Sequence, residues 1–149
     1  MPTKAQYTEP QVRDADGRRE VLDPVRRRWV ALTPEEGVRQ WVIGLLHERY
    51  GYPLELMQVE GAITVNGMTR RCDIVVYDTT GTPQMIVECK KPDVAITQKV
   101  CDQACRYNTV LRVPYLILTN GRQTVTVEVD FTNGTLRQLR EPNHYIKKS

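Results

Sequence analysis

Asp73, Glu88 and Lys90 are the residues whose types and spacing could do chemistry, and they lie in the stretch RRCDIVVYDTTGTPQMIVECKKPD, residues 70–93. In an antiparallel hairpin, paired residue numbers have a constant sum. Pairing Asp73 with Glu88 puts the midpoint between Thr80 and Gly81, the centre of the DTTGTP loop, so the turn signal itself suggests this register. Two carboxylates then face each other, where like charges repel. They do so on otherwise apolar strands, where unpaired charge is costly. Something positive must sit between them. A hard divalent cation, Mg²⁺ or Mn²⁺, takes oxygen ligands and would hold the pair together. Side chains alternate along a strand, so Glu88 and Lys90 share a face and stand about 7 Å apart along it. Beside such a site Lys90 can stabilise an oxyanion or, with a lowered pKa, act on water. Cys89 points the other way, into the core. The alternative is a salt-bridged cluster at a strand end, with Lys90 neutralising one acid.

The surrounding sequence must position these groups. Residues 1–20 are polar and read as an N-terminal arm or irregular start, with a single domain over 21–149. LTPEEGVRQWVIGLLHERYGY carries a helix start: Thr33 as N-cap, Pro34 at the first helical position and Glu36 three residues after Thr33, as in a capping box. Gly51 is placed to end that helix. ELMQVEGAITV, RRCDIVVYD and QMIVECK read as strands. ITQKVCDQACRYNTVLR reads as a helix with Val100, Ala104, Tyr107 and Leu111 along one side. VPYLILTNG suggests a buried central strand, QTVTVEVD a half-exposed one, and TLRQL a partner for it through the turn at Asn133-Gly134. The strand–helix–strand passage from QMIVECK to VPYLILT predicts a crossover between parallel strands. The fold class is therefore α/β (α+β), a central mixed β-sheet flanked by helices.

The pattern CDIVVYD…IVECK resembles the active-site signature of the PD-(D/E)XK nucleases: an Asp, a gap, then (Asp/Glu)-x-Lys on a hairpin. It departs from the name in one place, with Cys72 where the signature has Pro. LTPEEGVRQ, RCDIVVYD, VECKKP, QACRYN and LILTNG together resemble the N-terminal nuclease domain of the restriction (R) subunit of type I restriction–modification enzymes, over roughly Pro24 to Asp130. The resemblance implies a restriction-endonuclease-like fold and a Mg²⁺-dependent endonuclease that hydrolyses DNA, leaving a 5′-phosphate and a 3′-hydroxyl. Asp73, Glu88 and Lys90 would be catalytic, and Asp73, Glu88 and the Cys89 backbone carbonyl would bind the metal. Gln103 and Tyr107 match a Gln-x-x-x-Tyr motif of that branch, and a spacing of four puts them on one helical face. Glu36 matches an acidic position on the first helix, alongside its capping role. No GxxxxGK[ST] phosphate loop is present, so the expectation is the nuclease module without its ATP-driven motor.

Composition sets outer bounds. Net charge is +3, which permits an anionic partner without requiring one. Basic residues concentrate in DGRREVLDPVRRRWV, where Arg26, Arg27 and Arg28 read either as a footprint for phosphates or as a solvated surface. The four cysteines have no CxxC spacing, and His47 and His144 lie far from them; Cys72 and Cys89 sit in apolar strand patterns, so buried free thiols are favoured over zinc. No apolar run is long enough to span a bilayer, and the first ten residues lack a signal-peptide core, so the expected compartment is the cytoplasm. DNA is the expected partner. The sequence also allows a DNA-specificity or motor partner protein, a homodimer, or a non-catalytic or partner-dependent binding module on the same fold.

Overall fold

The computed structural model describes residues 9–147. Its first feature departs from the sequence reading. Residues 12–20, expected within an irregular arm, form strands: β1 (Val12–Ala15), β2 (Arg18–Asp23) and β3 (Arg28–Ala31) make an antiparallel three-stranded sheet. The polar composition conceals a hairpin signal, Asp16-Gly17, whose φ values of 51° and 76° suit a tight two-residue turn. Residues 1–8 of the expected arm lie outside the described residues.

α1 (Pro34–Gly44) starts as the sequence predicts, with the Thr33 side chain accepting a hydrogen bond from the Glu36 N–H. It runs on into a π-helical turn over Leu45–Arg49, and Gly51 then adopts φ +79°. β4 (Met57–Val59) follows, then a hairpin of β5 (Ala62–Val65) and β6 (Met68–Arg71) closed by Asn66-Gly67. β7 (Ile74–Tyr77) and β8 (Pro83–Cys89) form the hairpin that carries the acids. α2 (Gln98–Leu111) crosses over to β9 (Tyr115–Thr119), and β10 (Thr124–Asp130) and β11 (Thr135–Leu139) complete the sheet. RRCDIVVYD is thus two strands, broken at Cys72 and Asp73.

The central sheet has the order β11-β10-β9-β8-β7-β4. β8 and β9 are parallel, as the crossover requires, and the other pairs are antiparallel. Strand alternation sends Ile74, Val76, Met85, Val87 and Cys89 to one face, where Val38, Val42, Ile43 and Leu46 pack on them. It sends Val75, Ile86, Leu116 and Leu118 to the other, against Ala104 and Leu111 of α2. Each such side chain contributes about 1.5–3 kcal/mol by leaving water. Burying both faces explains why β7, β8 and β9 read as nearly unbroken apolar runs. Among the described residues no helix is long and apolar enough to cross a membrane.

Candidate active site

β8 places Glu88 on the α2 face of the sheet and Cys89 in the core on the α1 face. Ile74 pairs with Val87, so the register continues to Asp73 opposite Glu88, just beyond the end of β7. The chain bends there: Cys72 packs with the α2-side core and Ile74 with the α1-side core. The bend frees the Asp73 side chain from strict alternation. Its Oδ2 accepts the Cys89 N–H at 2.8 Å and its Oδ1 accepts Arg39 Nη2 at 3.0 Å.

Positive charge does meet the two acids, and it comes from arginines on opposite sides of the sheet. Arg39 of α1 pairs with Asp73, and Arg70 of β6 donates to Glu88 Oε1 at 3.0 Å. Lys90 makes no salt bridge among the described residues, though its charge favours the Glu88 carboxylate to a smaller degree than Arg70 does, and its backbone N–H donates to Thr119 O. Burial pushes the Glu88 carboxyl above its ordinary value, and the hydrogen bond and charge of Arg70 only partly oppose this. Arg39 has burial pulling its guanidinium down, but the Asp73 hydrogen bond and the charges of Glu36 and Asp73 leave it raised.

A concavity of about 200 Å³ opens at this end of the sheet, lined by Arg70, Glu88, Lys90, Gln103 and Tyr107 among others. Gln103 and Tyr107 therefore share a wall with the acid and the lysine. Tyr107 is not a core residue as its helical spacing suggested; it is 42% exposed, and the Arg70 guanidinium lies 4.0 Å over its ring. The buried position on that turn belongs to Asn108, which donates to Val113 O.

Glu36 lies one residue removed from the site. Its N–H is capped by Thr33, but its carboxylate turns inward to Arg26 Nη2 at 2.6 Å and Arg39 Nη1 at 3.0 Å. It reaches Asp73 only through Arg39. Arg26 also pairs with the fully buried Asp23, which removes it from solvent, whereas Arg27 and Arg28 are exposed. A buried ladder Asp23–Arg26–Glu36–Arg39–Asp73 thus joins the N-terminal sheet to the site. Sequence reasoning missed Arg39 and Arg70. The only local signal was Arg39 three residues after Glu36, on the same helical face.

Residues 34–141 match the family described as "Type I restriction enzyme R protein N terminus (HSDR_N)". The chain belongs to that family. The family resemblance read from LTPEEGVRQ through LILTNG stands. Among solved structures, a fragment assigned to the HsdR subunit of a type I restriction enzyme from Vibrio vulnificus is 21% identical, with a TM-score of 0.53 over 76% of this chain. The match covers 24% of that chain, so this protein spans about a quarter of the relative's length. A protein from Anabaena variabilis, assigned as a nuclease, is 13% identical over 98% of this chain and 86% of its own, with a TM-score of 0.47. No curated protein matches the chain. The fold is the expected restriction-endonuclease-like one, a mixed sheet with a helix on each face.

Proposed function

We propose that this family member is a metal-dependent nuclease domain that hydrolyses DNA phosphodiester bonds, with Asp73, Glu88 and Lys90 as catalytic residues. The observation that carries this reading is how the cations are shared out: Arg39 and Arg70 take the two carboxylates, while Lys90 lines the Glu88 concavity with no ion pair among the described residues. Lys90 acts on Glu88 through its charge alone, with no salt bridge, and so keeps its ammonium group available for chemistry. The pattern Asp73…Glu88-Cys89-Lys90 on a hairpin is the PD-(D/E)XK arrangement, and it supports the same assignment.

Among the described residues no group of three or more His, Cys, Asp or Glu side chains could by itself hold a metal ion. The donor set nevertheless fits a hard cation that keeps several waters, such as Mg²⁺ or Mn²⁺. Asp73, Glu88 and the Cys89 backbone carbonyl would hold it. Bound there, the ion would polarise the scissile phosphate and lower the pKa of water. Arg70, with 26% of its side chain exposed against 9% for Arg39, is the guanidinium that yields more readily. Lys90 orients or deprotonates the attacking water and stabilises the charge that develops on the phosphate. Gln103 faces the same space and positions the DNA backbone, and Glu36 acts at one remove by fixing Arg39.

The test is cleavage of supercoiled plasmid with Mg²⁺ or Mn²⁺. Lys90→Ala keeps both carboxylates, so metal and DNA affinity should stay within a few-fold while cleavage falls by about 10² or more. Gln103→Ala should show a smaller loss. Nicked product should reseal with ligase, as 5′-phosphate and 3′-hydroxyl ends require. Because both acids are already salt-bridged, a non-catalytic or partner-dependent module is the second reading. Equal inertness of wild type and Lys90→Ala on every DNA form, with Mn²⁺ and excess enzyme, would establish it.

A further inference from the structure

Next to the concavity of Glu88 and Lys90 lies a second one of about 350 Å³, lined by Met68, Thr69, Arg70 and Arg71 of β6 and by Tyr107 and Val110 of α2. The two share Arg70 and Tyr107. Met68, Tyr107 and Val110 are 52%, 42% and 43% exposed, so three large apolar side chains gather on one open surface. Scattered exposed apolar residues need no explanation, but a gathered set marks a binding surface. The hairpin that supplies one wall is a two-stranded sheet separate from the central one.

The chemistry of the walls narrows the occupant. Both charged lining residues are arginines and none is acidic. Arg71 is 73% exposed, and its pairing with Glu60 at 3.3 Å is of the surface kind that contributes about 0–1 kcal/mol. It can turn to an anion at little cost. Arg70 spends one bond on Glu88, and a guanidinium carries five N–H donors. Aromatic and apolar faces that accept bases, set among arginines that accept phosphates, match a nucleic-acid strand better than an uncharged protein surface.

We propose that the concavity between the β5–β6 hairpin and α2 is a groove for the DNA strand flanking the scissile phosphate, with Arg70, stacked on Tyr107 at the junction, as its phosphate anchor. The proposal rests on the nuclease reading for where the scissile phosphate lies. A strand held at Lys90 on the α2 face leaves past Arg70 and Tyr107 into this groove.

The experiment measures binding of a short fluorescein-labelled DNA duplex carrying a single-stranded overhang by anisotropy, in EDTA and again with Ca²⁺. Variants are Met68→Glu, Val110→Glu and Arg71→Ala, with Leu136→Glu as control: Leu136 is equally exposed, at 52%, on β11 at the far edge of the sheet. All four positions are exposed, and unchanged thermal melts check the fold. Met68→Glu and Val110→Glu should weaken binding about ten-fold, because each sets a carboxylate against the phosphates. Arg71→Ala should weaken it several-fold and make the log–log salt slope shallower by about one. Leu136→Glu should stay within two-fold of wild type. Groove variants that bind like the control, or wild type that fails to bind at low salt in either condition, would overturn the proposal. So would groove variants that change only self-association in light scattering, which would make the surface a protein interface. Plasmid cleavage by the wild type separates the two readings. An inert wild type whose groove variants lose DNA removes the nuclease reading and keeps the groove. Normal cleavage with unchanged binding does the reverse.

Discussion

Replacing Asp73 probes what holds the metal-free site together. Carboxylate repulsion alone would make the loss of one acid neutral or stabilising. The structure argues the opposite. Asp73 is 15% exposed and Arg39 9%, so Asp73→Ala leaves a buried guanidinium short of a partner. It also strips the Cys89 N–H of its acceptor. Breaking a buried pair costs about 3–5 kcal/mol, and an orphaned buried donor about 1–3. Arg39 retains Glu36 at 3.0 Å, which moves the first figure to its lower end. The expected loss is about 4–6 kcal/mol, a fall in Tm of roughly 15 °C for a domain of this size. Asp73→Asn keeps an oxygen for Cys89 and should lose only about 2 kcal/mol. A double-mutant cycle with Arg39→Met should return about 1–2 kcal/mol of coupling. The assay is urea unfolding in EDTA, followed by circular dichroism. An Asp73→Ala protein within about 0.5 kcal/mol of wild type would refute the argument and make repulsion between the acids at least as strong as their pairing.

Two further outcomes follow from the same contacts. Burial raises the Glu88 pKa, so the folded protein holds that proton to higher pH than the unfolded chain, and the stability it contributes at low pH is lost as pH rises through the folded value. Relative to Glu88→Gln, the wild type should therefore lose stability from about pH 4 upward; urea titrations across pH showing the gap moving the other way would mean that the Arg70 ion pair outweighs burial. Arg26→Ala should cost about 2–4 kcal/mol, because it leaves fully buried Asp23 without its ion-pair partner and with only the backbone N–H groups of residues 25 and 26. Arg27→Ala and Arg28→Ala should stay within about 0.5 kcal/mol and, if those side chains meet phosphate, flatten the salt dependence of DNA binding.

What the sequence made legible was local. Thr33 caps because a hydroxyl three residues before Glu36 has one nearby N–H to accept, and the Asp73–Glu88 register agrees with the centre of DTTGTP even though a β-bulge beyond Val76 shifts the last pair, Tyr77 with Pro83. The crossover between β8 and β9 follows from the strand–helix–strand order. Arg39 and Arg70 could not be read in this way. They meet their acids across 34 and 18 residues of chain, and no periodicity encodes such a meeting. Tyr107 was misplaced for a related reason: helical spacing identifies a face, but whether that face is covered depends on where β6 sits. The N-terminal sheet failed differently, since its Asp-Gly turn was present and polar composition outweighed it. Asn66-Gly67 is a turn signal of the same kind, and the polar run Thr69-Arg70-Arg71 hides the strand that it closes.

The ion-pair ladder also decides where this protein can be cut. The shared family segment begins at residue 34, between Arg26 and Glu36. A fragment trimmed to that boundary would keep Glu36, Arg39 and Asp73 but lose Arg26, so the Glu36 carboxylate would be left with Arg39, which it shares with Asp73, as its ion-pair partner. It would also lose Val21 and Asp23, both wholly enclosed in the intact chain. A fragment starting at residue 34 should therefore unfold at lower urea than one that keeps the N-terminal sheet. The strands that look like an appendage to the family domain are, for this chain, part of its foundation.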